Sequence, residues 1–361
     1  MATFTGQLRS NEIFSALYNM IISQEVFADN LGEHQTLVDK ARVDGGLYGD
    51  TKLYYSTDVL KSVPWGNDAE AANLLALHRP EAPECQAIHL DIFRQICLTV
   101  DNYLSKRAWA TEGAFSSFNS VMLGWMKDTK RVYDGTLYNV FIGTTKAAGA
   151  GQTVSVDLAG ATSLTGVEKE QMEAMLIAQK LADLMVAMGD YSRDFNDYGN
   201  LRSYAKDGIK VIWNSKFVNK IRKIDLPTIF HKDGLIDKFE EEILPERYFG
   251  DVNTSKLTSI EANTVRSTIE KDYTVSGKIT HVFPGDYIPA GATVEIGEGY
   301  KAPTKDVICK VLVKLPPYMS AFEVGTSFFN AKSLTENHYL TFGHNTIEYL
   351  KNYPFITVQV K

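Results

Sequence analysis

Two runs of strand-forming residues, 36–62 and 86–104, flank a loop-like stretch, VPWGNDAEAANLLALHRPEAPE, that carries three prolines. In the first run Val38, Leu47, Leu53, Tyr54, Tyr55 and Val59 are interspersed with the turn signals Asp44-Gly45-Gly46 and Gly49-Asp50. Glycine supplies positive φ there at no steric cost. In the second run Ile88, Leu90 and Ile92, then Ile96, Leu98 and Val100, alternate with polar neighbours. A period of two is the period of a strand. The whole forms a long β-excursion, which a compact enzyme rarely needs. The apolar residues of a thin hairpin are an aggregation hazard unless something covers them.

The rest of the chain hangs on this excursion. Residues 1–35 read as an N-terminal arm, with Ile13, Leu17, Met20 and Ile21 at helical spacing but no core of their own. The broad stripe Phe115, Phe118, Met122, Trp125, Met126, Thr129, Val132 and Tyr133 predicts a helix over 112–134, with Gly135 as its stop. The small-residue segment 143–163 is a flexible or β-type connector. A second helix is expected over 166–188, with Thr165 and Glu168 as a capping box, Gly189 as its end, and Met172, Met175, Leu176, Leu181, Leu184, Met185 and Met188 on the buried side. GIKVIW, 208–213, reads as a buried strand. Asn214 or Ser215 then caps a short basic helix, KFVNKIRK. DKFEEEIL reads as a short acidic helix stopped by Pro245. From 272 onward TVSGKITHVF, DYIPAGATVEIG, DVICKVLVKL and FITVQV are all strand-like.

Composition bounds the class without naming it. A chain of 361 residues with 44% hydrophobic and 22% charged residues can bury a large core as two or three domains or one elaborate one. No run approaches the ~18 apolar residues of a membrane-spanning helix. The start, MATFTGQLRSNEIF, is not expected to be a secretory signal. Cys85, Cys97 and Cys309 are odd in number and widely spaced, which argues for a reducing compartment and against structural zinc. A net charge of −7 gives no whole-protein attraction to polyphosphate.

The chemistry-bearing motifs each have a plainer reading. Gly143-Thr144-Thr145-Lys146 has its lysine before the glycines Gly149 and Gly151, unlike a phosphate loop, so a connector is favoured. His231 has no ligand partner at helical spacing, so it is more often structural than a zinc ligand. Glu240, Glu241 and Glu242 form a solvated face unless they converge across a cleft. Lys216, Lys220, Arg222 and Lys223 can touch phosphates or pair with those glutamates across a subunit contact; the second is the commoner use. Cys97 lies in a strand pattern and is expected to be buried. No G-x-S-x-G is present. No catalytic constellation, cofactor site or metal site is expected.

The order of elements resembles that of tailed-bacteriophage major capsid proteins, a fold shared with encapsulin and herpesvirus shells. LVDKARVDGGLYGDTKLYYSTDV is similar to the outgoing limb of that family's extended loop, and AIHLDIFRQICLTVDNYL to the returning limb. AFSSFNSVMLGWMKDTKRVYDGTLYNVFIG is similar to its spine helix and exit strand. DGIKVIWNSKFVNKIRKIDLP is similar to a strand and helix of the axial domain, and KDVICKVLVKLPPYMSAFEVGT to return strands of the peripheral domain.

The resemblance implies an α+β fold: an N-arm (1–35), an extended β-hairpin loop with flanking strands (36–104), a peripheral domain with the long spine helix (105–142 and 303–361), and an α/β axial domain (143–272). A β-rich insertion, 273–302, is unplaced. It also implies a non-enzymatic protein that assembles with copies of itself into pentamers and hexamers of an icosahedral shell around double-stranded DNA. Portal and scaffolding or decoration proteins would be further partners, with no membrane, and the location a virion capsid assembled in the bacterial host cytoplasm. Leu47, Tyr48, Leu53, Tyr54 and Tyr55 are the expected subunit contacts. Two alternatives remain: an encapsulin-like nanocompartment shell, and a soluble hydrolase using His231 and Asp233.

Overall fold

The computed structural model describes residues 36–45, 50–62, 77, 79–101, 112–145, 152–218, 240–253, 255–303 and 306–361. The expected N-terminal arm lies outside them.

In chain order the chain forms α1 (Leu37–Ala41), β1 (Arg42–Asp44), β2 (Thr51–Ser56), β3 (Glu84–Asp101), α2 (Glu112–Gly143), β4 (Thr144–Thr145), β5 (Thr153–Val156) and α3 (Gly166–Gly189). There follow β6 (Lys210–Asn214), β7 (Glu240–Leu244), β8 (Gly250–Asn253), β9 (Arg266–Ser267), β10 (Lys271–Val275) and β11 (Lys278–Val282). The series closes with β12 (Tyr300–Pro303), β13 (Val307–Leu312), β14 (Tyr318–Asn330), β15 (Thr335–Asn345) and β16 (Phe355–Val360).

The body is built on the sheet β5-β16-β13-β6-β7. Side-chain alternation splits it between two cores. Val211, Trp213, Cys309, Val311, Ile356 and Val358 face α3, whose Ile177, Leu181, Leu184, Met185 and Met188 cover them. Ile212, Leu312 and Phe355 face the other way, onto Tyr138, Val140 and Ile142 of α2 and onto α1. Every residue of β13 is buried. Cover on both faces is why VICKVL reads as an almost unbroken apolar run. Its one charged residue, Lys310, lies on the α2 side, where Nζ donates to the Thr144 carbonyl and to Thr357 Oγ1, each at 2.6 Å.

A second sheet, β1-β14-β15-β3-β2, runs out from the body. β3 pairs with β2 through its first residues, His89 opposite Thr51 and Glu84 opposite Ser56, and with β15 from Leu90 to Asp101. One face of the β3–β15 ladder lies under α2: Tyr133 meets Phe342 and His344 edge-on or tilted, and the Arg94 guanidinium stacks 4.7 Å from the Tyr133 ring. Lys130 of α2 stands over Phe342.

The remaining strands make a small β unit. β4-β8-β12-β9 form one sheet and β10-β11 a hairpin. Their apolar side chains gather in a separate core of Ile260, Val265, Tyr273, Val282, Ile288, Ala292, Val294 and Tyr300. The previously unplaced 273–302 belongs to this core, which also draws on residues before 273. Arg94 of β3 ties the unit to the long sheet through a 2.7 Å ion pair with Glu270.

Several local expectations are corrected. The spine helix does not stop at Gly135 but continues to Gly143, so TLYNVFIG is helix and not an exit strand. Its added turns bury Tyr138, Val140 and Ile142, which outweighs one mid-helix glycine. Glu240–Leu244 is a strand and not a helix, in parallel register with β6. Thr165 is the N-cap of α3 but makes no side-chain capping bond, and Met175 points outward. DYIPAGATVEIG forms turns with isolated bridges at Tyr287 and Val294 instead of a strand. Cys97 is exposed, on the ladder face that α2 leaves uncovered.

Candidate subunit interface

β2 shows how the excursion divides its apolar residues. With a period of two, Tyr54 and Ser56 turn inward while Leu53 and Tyr55 turn outward. Tyr54 packs beside the cluster of Ile88, Leu90, Met319 and Leu350, and its burial pushes the phenol pKa up. Leu53 is 51% and Tyr55 65% exposed. Of the five expected contact residues, the structure thus places two at the surface and one against the chain's own core. Leu47 and Tyr48 lie outside the described residues.

The far end of β2 is fastened to the body. Ser56 is buried and its Oγ donates to Asn352 Oδ1 at 2.6 Å. The same oxygen accepts from Asn200 Nδ2 at 2.7 Å and Arg202 Nη2 at 3.1 Å. Arg202 also donates to the Thr57 carbonyl at 2.6 Å. Two residues on, Asp58 accepts from the Leu201 N–H at 2.9 Å, the Arg193 guanidinium at 2.6 Å and the Val59 N–H at 2.8 Å. The Leu201 bond, followed by Arg193, lowers its carboxyl pKa to about 2. Opposite, Gln86 accepts from the Lys351 N–H and donates to the Tyr349 carbonyl, each at 3.0 Å. These bonds over-determine where the chain leaves the body. Beyond them Val59, Leu60 and Leu77 are exposed, Leu60 at 78%. Beside Tyr54 and Tyr55 lies a recess of about 200 Å³, lined also by Tyr198, Lys314, Leu350 and Tyr353. An anchored strand edge with outward apolar side chains and an aromatic recess can bind another surface by burial.

The charged motifs resolve within the chain. Lys40 of α1 pairs with Glu240 and Glu242, and Lys210 pairs with Glu240. The Lys210 contact, opposed by partial burial, holds the Glu240 carboxyl below its usual range. Lys216 lies 3.7 Å from Glu246, and its N–H is capped by Asn214 Oδ1. Lys220, Arg222, Lys223, His231 and Asp233 lie outside the described residues. Among the described residues no group of three or more His, Cys, Asp or Glu side chains is arranged to hold a metal ion, and no helix is long and apolar enough to cross a membrane.

A polar cluster that sequence reasoning missed lies between α2 and the long sheet. Asp134 is 1% exposed and receives Lys130 at 3.1 Å, Arg42 at 3.2 Å and the Tyr318 hydroxyl at 2.6 Å. Next to it His344 shares a 2.9 Å hydrogen bond with Tyr133 and directs Nδ1 at the Asn345 carbonyl. These groups lock elements together in the interior. The only advance signal was a charged pair, Lys130 and Asp134, at helical i,i+4 spacing beside the apolar stripe.

No protein-family model and no curated protein sequence matches this chain. Solved structures do. A chain in the capsid structure of Staphylococcus phage Andhra is similar over 94% of this chain and 87% of its own length, at 11% identity and a TM-score of 0.60. A chain in the structure of the head fiber and inner core protein gp22 of native bacteriophage P68 is similar over 93% and 89%, at 11% identity and a TM-score of 0.55. The α+β fold expected from the element order is therefore one that phage head structures contain.

Proposed function

We propose that this chain is a tailed-bacteriophage major capsid protein, which assembles with copies of itself into pentamers and hexamers of an icosahedral shell enclosing double-stranded DNA. The observation that carries the reading is the anchored β2 edge, with Leu53 and Tyr55 turned outward and Val59 and Leu60 beyond them, on a fold similar to a chain of a phage capsid. The work is binding and not catalysis: many weak contacts around each subunit's rim sum to a stable shell. Portal and scaffolding or decoration proteins are the further partners, and the location is the virion, after assembly in the host cytoplasm. In this reading 1–35 is the arm, 36–104 the extended loop, 105–142 with 303–361 the peripheral domain, and 143–272 the axial domain. Residues 273–302 belong to the accessory β unit.

The test is electron microscopy of the chain expressed alone, beside a Leu53→Asp/Tyr55→Asp variant. The parent is expected to give closed particles. The variant is expected to keep its circular dichroism and give none, because both side chains point away from the body. Particles from the variant would overturn the assignment of these two residues. A compact monomer from the parent at every concentration would overturn the function. Particles holding a co-purified protein in place of nucleic acid would move the reading to a nanocompartment shell.

A further inference from the structure

The outer edge of β14 is unpaired among the described residues beyond its first turn of chain. β1 pairs with it only at Tyr318, Met319 and Ser320, while β15 occupies its other side as far as Asn330. Residues 324–330, Val-Gly-Thr-Ser-Phe-Phe-Asn, thus offer a row of backbone donors and acceptors with no charge and no proline among them. Val324, Phe328 and Phe329 are exposed, so neither face of this stretch is covered. The ladder's irregularity falls earlier, between Ala321 and Val324, and leaves the row unbroken. Natural sheets blunt such edges with lysine, proline, bulges or a covering element. A neutral, β-prone window without them pairs with another strand.

We propose that this edge pairs antiparallel with the same edge of a second copy, about a two-fold axis at Ser327. The inference rests on the shell reading for its supply of neighbouring copies and adds a contact to it. Two features make the strand complementary to itself in this register. Residues paired across an antiparallel ladder share a face, so Thr326 meets Phe328 and Val324 meets Asn330 on one side. On the other side Gly325 meets Phe329. A Cβ at Gly325 would find nothing within 4 Å, which leaves room for an aromatic ring to cover the bare backbone. The flanking charges stay outside the row: Glu323 pairs with Lys130 of α2 at 3.4 Å, and Lys332 lies in the turn. The contact is isologous, so it closes on itself and joins two long sheets into one.

The test is disulfide trapping. Ser327→Cys is placed in a chain whose exposed cysteines are removed by Cys85→Ser and Cys97→Ser, then oxidised mildly and run on a non-reducing gel. Ala331→Cys, also exposed, is the control, because a two-fold at Ser327 holds the two 331 positions ~27 Å apart. A covalent dimer from Ser327→Cys and none from Ala331→Cys is expected, from particles or from soluble protein. No dimer at 327 in either form, or equal dimer at both positions, overturns the pairing. Microscopy of the same samples reads the shell separately: particles without the 327 dimer overturn the pairing alone, and the 327 dimer without particles supports the pairing and counts against the shell. In the otherwise unaltered chain, Ser327→Lys is expected to abolish whatever dimer sedimentation detects, and an unchanged dimer would also overturn the proposal.

Discussion

The Tyr318 hydroxyl donates a 2.6 Å hydrogen bond to Asp134, and each of the two residues is 1% exposed. The same carboxylate takes Lys130 from its own helix and Arg42 from β1, so one buried charge joins three elements. Asp134→Ala would leave Lys130, itself buried, with only the half-exposed Glu323, 3.4 Å away, as a counter-charge. Removing one partner of a buried pair costs about 3–5 kcal/mol. Urea unfolding is expected to show a loss of that order. Arg42→Ala, which removes a guanidinium that is itself about a third exposed, is expected to cost less than about 1 kcal/mol. Equal losses from the two would mean that Asp134 is not the hub.

His344 gives the fold an acid-sensitive point. Burial disfavours its charged form and holds its pKa below the ordinary 6.5, against the opposing pull of the Asn345 carbonyl, Asp134 and Asp91. Arg94 adds to the depression, and Tyr133 occupies Nε2. The unfolded chain therefore binds a proton that the native chain does not, in the window just below pH 6.5. Stability is expected to fall as pH drops through that window and to level off once the native imidazole also protonates. His344→Gln should flatten this part of the profile in thermal melts between pH 7 and 5. An unchanged slope would remove His344 from the account.

Two glycines of α2 should respond with opposite sign. A Cβ on Gly143 would lie 2.2 Å from the Tyr248 carbonyl oxygen, whereas a Cβ on Gly135 would meet nothing within 4 Å. Gly143→Ala must move backbone and is expected to destabilise by about 1–3 kcal/mol. Gly135→Ala only removes a poor helix former and is expected to stabilise by up to about 1 kcal/mol. Differential scanning calorimetry of the pair decides it, and a melting temperature lowered by both would contradict the open setting of Gly135.

Sequence period carried as far as burial was one-sided. Ile88, Leu90 and Val100 are all buried in β3, and their alternation with polar neighbours made that strand legible. Gly135 misleads because a mid-helix glycine and a C-terminal glycine read alike until the packing of Tyr138 and Ile142 is known. The glutamates of β7 read as a helix face in the sequence because their partners, Lys40 and Lys210, are distant along the chain. The outer half of β14 had no period to read, since neither of its faces is covered. At the candidate interface, alternation within β2 was enough to separate Tyr54 from Leu53 and Tyr55, but the fastening of Ser56 and Asp58 depends on loops around 193–202 and 352.

β3 runs for 18 residues without interruption, or ~60 Å of extended chain. Its near end is riveted through β2 to the body, and its far end carries the β14–β15 hairpin. Its one ladder irregularity, beside Asp91, lies toward the body end, so the span beyond it behaves as a beam. A tilt imposed on one end must reappear at the other, so two neighbours gripping opposite ends of the same molecule would sense each other's position mechanically, without any change in the body between them.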